Sequence, residues 1–516
     1  MLRSALLLAS LFMVLPALAR VGFGDPEAAW RDREPGRHLV ASGQLRLRAA
    51  SYFNLDLDRP PEAALWLPGE GPLDQTAGAD LRLRLGVSLF AGELVRIVTE
   101  VDLADANLGA RPRGTPFGEG SALVVATPFQ EALTRAGIRK AYGEVRLPIG
   151  LLAAGRMPAH FGLGIAANAG DAIDDDGGDL ADRIAYVAPL FGHYVGLAYD
   201  VAASGAVSRG LGAAPAAGLP STSVQVVSLS VVRYHAPWQL GLYRRAGRSL
   251  LNYGLAVSHA WQARDVPTYW QSLDPELAGR PELVIERGAA ATLLDSWLRL
   301  VWGSFRIEFE GVVGYFLIEN PSPWPGVTVR TPVEGTPAGA VLQLAYEPLR
   351  ARFDWLLEAG VASADPAPGF PLPSPTAFVE ARPGALFGPQ IDGPRDPRMD
   401  AFRFSPNYRV DLILWRTLLG GVSEATYLRS RFRFRPGRDL VFSASAIYSH
   451  GLSAASNPGG VRPLGFEVDV GAELRAGGFH LRLDLGGLWP LGGLGVRGGR
   501  APTFAHMLLL RLGYAV

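Results

Sequence analysis

Apolar and polar side chains alternate one for one along most of this chain. Leu45, Leu47, Ala49, Ser51, Phe53 and Leu55 interleave with Gln44, Arg46, Arg48, Ala50, Tyr52 and Asn54. Leu81, Leu83, Leu85, Val87 and Leu89 face away from Arg82, Arg84 and Ser88, and Val95, Ile97, Thr99 and Val101 from Arg96, Glu100 and Asp102. Phe305, Ile307 and Phe309 oppose Arg306, Glu308 and Glu310, while Phe353, Trp355 and Leu357 oppose Arg352, Asp354 and Glu358. Phe466, Val468, Val470 and Leu474 oppose Glu467, Asp469, Glu473 and Arg475. Successive side chains of a strand point to opposite faces, so each stretch predicts a strand that is oily on one side and polar on the other. The sharpest case is 425–450. There Leu428, Ser430, Phe432 and Phe434 alternate with Arg429, Arg431, Arg433 and Arg435, then Pro436-Gly437-Arg438-Asp439 makes a turn before a return arm from Leu440 to Tyr448.

Such strands recur to the C-terminus, about 18 of them (16–18), joined by short and long connections in strict alternation, as in outer-membrane barrels. A soluble sandwich has no reason to sort its connections, and its strands are usually shorter. With the N-terminus in the periplasm, every short turn falls on the periplasmic side and every long loop outside. Trp238, Trp261, Trp270, Trp302, Trp324, Trp489, Tyr448 and Tyr514 fall near predicted strand ends, where aromatic girdles sit. The expected fold is an all-β transmembrane antiparallel barrel, which satisfies its backbone by closing on itself. The last strand ends at Val516 rather than on the aromatic residue usual for clients of the barrel-assembly machinery.

Composition narrows the setting. Arg3, the apolar run Ala5–Leu15 and Ala17-Leu18-Ala19 read as a cleaved signal peptide over 1–19, too short to span a bilayer. Residues 20–38 read as a polar periplasmic lead-in, and 39–516 as the barrel. The chain has no cysteine, which removes disulfides and thiolate metal sites. Its 49 basic and 49 acidic residues cancel, which argues against nucleic acid. The 62 glycines and 40 prolines are spread throughout, as many short strands and turns require. The implied location is the bacterial outer membrane, with its lipid and lipopolysaccharide as surroundings.

If the oily faces meet lipid, the alternate residues line a lumen: Arg46, Arg48, Arg82, Arg84, Arg96, Glu100, Arg306, Glu308, Glu310, Arg352, Arg429, Arg431, Arg433, Arg435, Glu467, Asp469 and Glu473. Arg429 to Arg435 would stand roughly 7 Å apart, a positive track that attracts anions by field and by fork-shaped hydrogen bonds. The competing reading pairs these arginines with lumenal acids and stiffens the wall. An acidic stretch containing Asp174, Asp175, Asp176 and Asp179 is a candidate calcium site on an outer loop, through clustered hard oxygens. It lacks the EF-hand order, and a solvated or lipopolysaccharide-bridging loop is the alternative. The segment 364–420 either folds into the barrel mouth or lengthens a strand, since its short apolar run does not separate helix from strand.

Ser258–His259 and Ser449–His450 are the nearest approach to a hydrolase pair. Neighbours in a strand face opposite ways, so neither makes a dyad, and no enzyme is expected.

Gly155-Arg156-Met157-Pro158-Ala159-His160-Phe161-Gly162-Leu163-Gly164, Asn168 and Asp174–Asp179 carry a resemblance. It continues through Asp182-Arg183, Ala359–Asp365 and Asn407–Arg416. Together they resemble an uncharacterised family of outer-membrane β-barrels from myxobacteria and related Gram-negatives. The overall plan is also similar to alginate-export-type porins. Neither resemblance implies a substrate. The expected function is a passive channel for small, anionic solutes. The alternative is a non-conducting barrel that binds surface ligands through its long loops.

Overall fold

The computed structural model describes residues 38–58, 75–108, 137–204, 223–265, 285–322, 327–349, 351–367 and 396–516. The expected signal peptide, the lead-in up to residue 37, Trp270 and Trp324 lie outside them. The strands are β1 (Leu39–Phe53), β2 (Gln75–Ala91), β3 (Val95–Leu108), β4 (Gly137–Leu147), β5 (Gly150–Pro158), β6 (Leu180–Leu190) and β7 (His193–Ser204). They continue as β8 (Ser223–Arg233), β9 (Leu250–Asp265), β10 (Ile285–Trp302), β11 (Phe305–Ile318), β12 (Val333–Gly335), β13 (Ala338–Tyr346) and β14 (Phe353–Ala362). The last five are β15 (Ala425–Phe434), β16 (Leu440–Gly451), β17 (Pro463–Ala476), β18 (Phe479–Pro490) and β19 (Ala505–Ala515).

Neighbours in sequence pair antiparallel, and β1 pairs with both β2 and β19, which closes the sheet. The three-residue β12 pairs with β11 beyond the end of β13, so eighteen of the nineteen strands form the wall. Register keeps like faces together. Arg431 lies opposite Leu356 on β14 and Ser445 on β16, while Phe432 lies opposite Trp355 and Ala444. A slip of one residue would turn every arginine of β15 into lipid.

The outer face is apolar: Leu229, Leu255, Val313, Leu428, Leu485 and Leu510 are exposed, and Ser230, Ala256 and Val312 beside them are buried inside. Aromatic rings chain across neighbouring strands at both ends of this band. At the short-turn end Phe305, Tyr346, Phe353 and Phe432 follow one another at 5.2, 6.2 and 6.0 Å. At the long-loop end Phe466, Trp489, Phe504 and His506 follow at 6.1, 4.9 and 5.8 Å, and Phe53 stacks on His506 at 4.4 Å. An edgeless wall with an oily belt between two aromatic rings is the β solution to spanning a bilayer. No described helix is long and apolar enough to cross one.

Short and long connections alternate as expected, with one helix among the short ones. Helix α1 (Pro237–Arg245) joins β8 to β9, opened by Pro237 at its first turn and by the Gln239 side chain accepting from the Ala236 N–H at 2.8 Å.

The expectation that every long loop stands outside fails for 159–179. Connections 159–179 and 396–424 fold into the barrel, where they find apolar and charged partners that solvent would not supply. The acidic stretch is therefore lumenal and is no outer loop. The 396–424 part of the long segment enters the mouth and does not extend a strand; 368–395 lies outside the described residues.

Candidate functional site

Connection 159–179 is shaped first by its glycines. Gly170 has φ +65°, and a Cβ there would sit 1.4 Å from the Gly177 carbonyl oxygen, so the loop closes only on glycine. Glu310 on β11 accepts from the Gly164 N–H at 2.8 Å and the Ile165 N–H at 3.2 Å. Phe161 packs with Val232, Ala256 and Trp297 of the wall. Arginines then grip the loop by its carbonyls. Arg84 donates to Gly170 O (3.2 Å), Arg82 to Ile173 O (2.9 Å) and Arg46 to Asp175 O (2.7 Å), and Arg139 to Ala169 O.

Connection 396–424 is held by apolar packing. Phe402, Phe404, Val410, Leu412, Ile413, Leu414, Trp415 and Leu418 are buried in one cluster with wall residues including Val312, Phe316, Val341, Ile447, Leu488 and Leu509. Gly339 on β13 makes room, since a Cβ there would fall 2.4 Å from the Phe402 ring. A single π-turn, Leu414–Leu418, runs through this core. Glu467 accepts from the N–H groups of Leu412, Ile413 and Leu414 at 3.0, 2.7 and 2.9 Å, supplying the acceptors a helix start lacks. Asp411 accepts from Trp415 and Arg416 N–H at 2.9 and 3.1 Å. Burial, then the neighbouring Glu467 carboxylate, pushes the Asp411 carboxyl well above the usual range.

The two loops meet at one carboxylate. Asp174 is ion-paired with Arg409 (2.8 Å) and Arg416 (3.2 Å) of the other loop, with Arg48 (3.5 Å) of β1 and with Arg511 of β19. Asp176 pairs with Arg409 (2.6 Å), Arg46 (3.4 Å) and Arg48. Asn407 donates to Gly177 O at 3.0 Å and accepts from the Asp176 N–H at 3.3 Å. Burial alone would raise both carboxyls. The guanidiniums of Arg416, Arg409, Arg511 and Arg48 outweigh it at Asp174, and those of Arg48, Arg409, Arg46 and Arg416 at Asp176, so both stay ionised far into acid.

The acids expected as calcium ligands thus have other partners. Asp174 and Asp176 serve arginines, Asp175 accepts from the Ala172 N–H (3.0 Å) and Asp179 from the Asn168 N–H (2.8 Å). Among the described residues no group of three or more histidines or acids is placed to hold a metal ion.

Most of the expected lumenal residues meet an opposite charge or a loop. Arg46 and Arg48 share Asp80 at 2.8 Å each, and Arg84 takes Asp102 at 2.7 Å. Arg96 pairs with Glu144 (3.1 Å), Glu100 with Lys140 (3.3 Å) and Glu308 with Arg299 (2.7 Å) and Arg306 (2.5 Å). Glu473 meets Arg475 at 2.5 Å and Arg482 at 3.4 Å. Asp469 is buried near Glu467 on β17. Arg352 lies exposed in the turn before β14. On the β15 stripe, Arg433 and Arg435 share Asp354 at 2.7 and 2.5 Å, and Arg429 lies 3.9 Å from Glu358. Arg431 makes no ion pair among the described residues, and its Nε is buried without a hydrogen-bond partner. The stripe reaches water at the short-turn end, where the Arg433 and Arg435 side chains are 30% and 38% exposed.

Arg409, Arg416, Arg511, Arg139, Asp354 and Glu358 were not picked out as site residues by alternation. One signal was available: the segments 155–179 and 407–416 that carry the sequence resemblance are the ones that meet at Asp174.

No family model and no curated protein matches the chain in sequence. Among solved structures the chain is similar to OccK11 (OpdR) of Pseudomonas aeruginosa, with 12% identity and a TM-score of 0.47 over 93% of this chain and 96% of that one. A BenF-like porin from Pseudomonas fluorescens Pf-5 is similar at 10% identity, with a TM-score of 0.47 over 93% and 98%. OccAB4 of Acinetobacter baumannii is similar at 11% identity, with a TM-score of 0.46 over 94% and 100%.

Proposed function

We propose that this barrel is a porin-like channel of the Gram-negative outer membrane that passes small solutes by diffusion and favours anions. The observation that supports it best is a closed barrel with a polar inner face and two loops fastened inside it, in which Arg431 has no ion pair among the described residues. Most other lumenal arginines are neutralised or spent on the loops, so the preference for anions rests on few groups. A solute anion about 5 Å from Arg431 in water-like dielectric gains about 0.8 kcal/mol, or about fourfold in occupancy. Lipid, lipopolysaccharide and the barrel-assembly machinery are the surroundings and partners this reading implies, after cleavage of a signal peptide.

A second reading is favoured by the apolar packing of 396–424 against the inner wall: a non-conducting barrel that works through its outer surface. Planar-bilayer recordings of the refolded mature chain separate the two. The channel reading expects discrete steps with anion-favouring reversal potentials, and a several-fold loss of that preference in Arg431→Ala. A correctly folded barrel with no conductance at any voltage would overturn it. Unchanged selectivity in Arg431→Ala would remove Arg431 from the path.

A further inference from the structure

The long inward connection leaves the wall after β14 and rejoins it at β15, and two acids tie its ends together. The Asp365 N–H donates to Glu424 Oε1 at 3.0 Å, and the Ser456 hydroxyl in the β16–β17 connection donates to the same oxygen at 2.6 Å. The Glu424 carbonyl accepts from the Leu452 N–H at 2.8 Å, so this one residue knits three segments. Asp365 holds the returning chain, accepting from the Asp400 N–H at 3.1 Å and the Ala367 N–H at 2.9 Å. Both acids are 2% exposed, and Glu424 Oε2 is buried with no hydrogen-bond partner.

Among the described residues neither carboxylate has an ion pair, in contrast to Asp174 a short way down the lumen. The charges of the described residues that act on them are themselves acidic. The Asp365 carboxylate acts on Glu424, and Asp396 and Asp400 act on Asp365. Among the described residues of this segment, Arg398 pairs with Asp400 (3.1 Å) and Glu334 (3.3 Å), and Arg403 donates to Leu419 O at 3.0 Å.

We propose that Glu424 and Asp365 form a proton-operated latch on the inward loop: protonated, they hold 396–424 against the wall, and ionised, they release it. Two neighbouring buried carboxylates with no ion pair among the described residues are costly to ionise, and undocking the loop lets water take that charge. Burial, with the Asp365 carboxylate adding to it and hydrogen bonds from Ser456 and Asp365 N–H opposing it, pushes Glu424 up to about 7. Burial, with Asp396 and Asp400 adding, pushes Asp365 up to about 6. A carboxyl whose pKa is raised in the docked state binds its proton more tightly there. Docking is therefore strongest below the ordinary carboxyl range, weakens as pH rises toward 7, and is flat above. From Glu424 alone the docking equilibrium changes roughly a few hundredfold across that window.

The consequence for conductance rests on the channel reading; the latch itself does not. The experiment follows the refolded mature chain from about pH 4.5 to about pH 8.5 by two readouts, bilayer conductance and hydrogen exchange corrected for intrinsic rates. The amides to watch are those of Met399 and Phe402, which dock on Glu334 O and Ser363 O. In the native protein their protection falls and conductance rises as pH increases. Glu424→Gln keeps the side chain's shape without its charge, so protection falls less with pH and conductance rises less than in the native protein, the remaining change being that of Asp365. Asp365→Asn is the second variant should Glu424→Gln fail to fold, and it shifts both curves the same way. Protection that tracks pH in a barrel that never conducts supports the latch and sinks the channel. Protection independent of pH in the native chain overturns the latch, as does a Glu424→Gln protein that follows the native curve.

Discussion

Replacing Asp174 by asparagine should unfasten the two inward loops from each other and leave the wall intact. Asparagine keeps the shape and removes the charge that four guanidiniums share. Arg48 and Arg409 still have Asp176, and Arg511 still has Asp484. Arg416, whose side chain is 10% exposed, has no second acid in ion-pairing range among the described residues. Removing one partner of a buried ion pair costs about 3–5 kcal/mol, because the other charge stays buried and uncompensated. With three of the four arginines partly compensated, the lower end applies: about 3 kcal/mol, or about 150-fold in the docking equilibrium.

That loss falls on the loops. No strand pairing passes through Asp174, so the variant should still refold to a barrel resistant to detergent unfolding. Single-channel recordings should then show larger or noisier steps, and reversal potentials should move toward anions, since the place where the two loops meet gains one positive charge. The pH signature differs from that of the latch. The Asp174 carboxyl is held well below its ordinary range, burial opposing and the arginines prevailing, so its contribution stands above the ordinary carboxylate range and is lost only in strong acid. Native loops should therefore stay tied at this point throughout the window in which Glu424 and Asp365 titrate. An Asp174→Asn protein with native conductance, selectivity and amide exchange would refute the reasoning.

Two further substitutions test the wall. Leu229→Arg places a charge in the middle of the outer belt on β8 and should cost about 2–4 kcal/mol of folding stability in lipid, measured by reversible denaturation in vesicles; an unchanged midpoint would mean this face does not meet hydrocarbon. Gly339→Val adds atoms where a Cβ would fall 2.4 Å from the Phe402 ring, and should displace 396–424 by overpacking at about 1–3 kcal/mol, raising conductance and loosening the Phe402 amide while the barrel still folds.

The wall was legible because its rule is local. Period-two alternation depends only on a residue and its neighbours, and a strand buried on neither face or both would have hidden it. Phe305, Phe353 and Phe466 face lipid, and Arg306, Asp354 and Glu467 face the lumen, as the pattern requires. What fills the lumen follows no local rule. Whether 159–179 stands out in water or turns inward is decided by Arg46, Arg82, Arg84 and Arg139 on three strands, none of which is near it in sequence except Arg139. The apolar run from Val410 to Leu419 could not declare itself helix or strand; it became a π-turn because Glu467, on a strand about 50 residues later, offers its carboxylate to three adjacent N–H groups.

The same dependence explains why arginine content misleads as a sign of solute preference. Alternation reports that Arg46, Arg82, Arg84 and Arg431 all point inward, yet it cannot separate an arginine that faces water from one that faces a folded loop. A guanidinium presents five donors in a plane, which suits a row of backbone carbonyls as well as it suits a solute carboxylate. In β1 and β2 the carbonyls of 170–175 take those donors, so charge there is spent on architecture. On β15 the neighbouring strands offer Asp354 and Glu358 at the positions opposite Arg433 and Arg429, and Leu356 opposite Arg431. Cross-strand register therefore decides which arginine keeps its field. A single exchange tests that step: Leu356→Glu would place an acid opposite Arg431, and should abolish most of the anion preference that Arg431→Ala removes, with both arginine and fold retained.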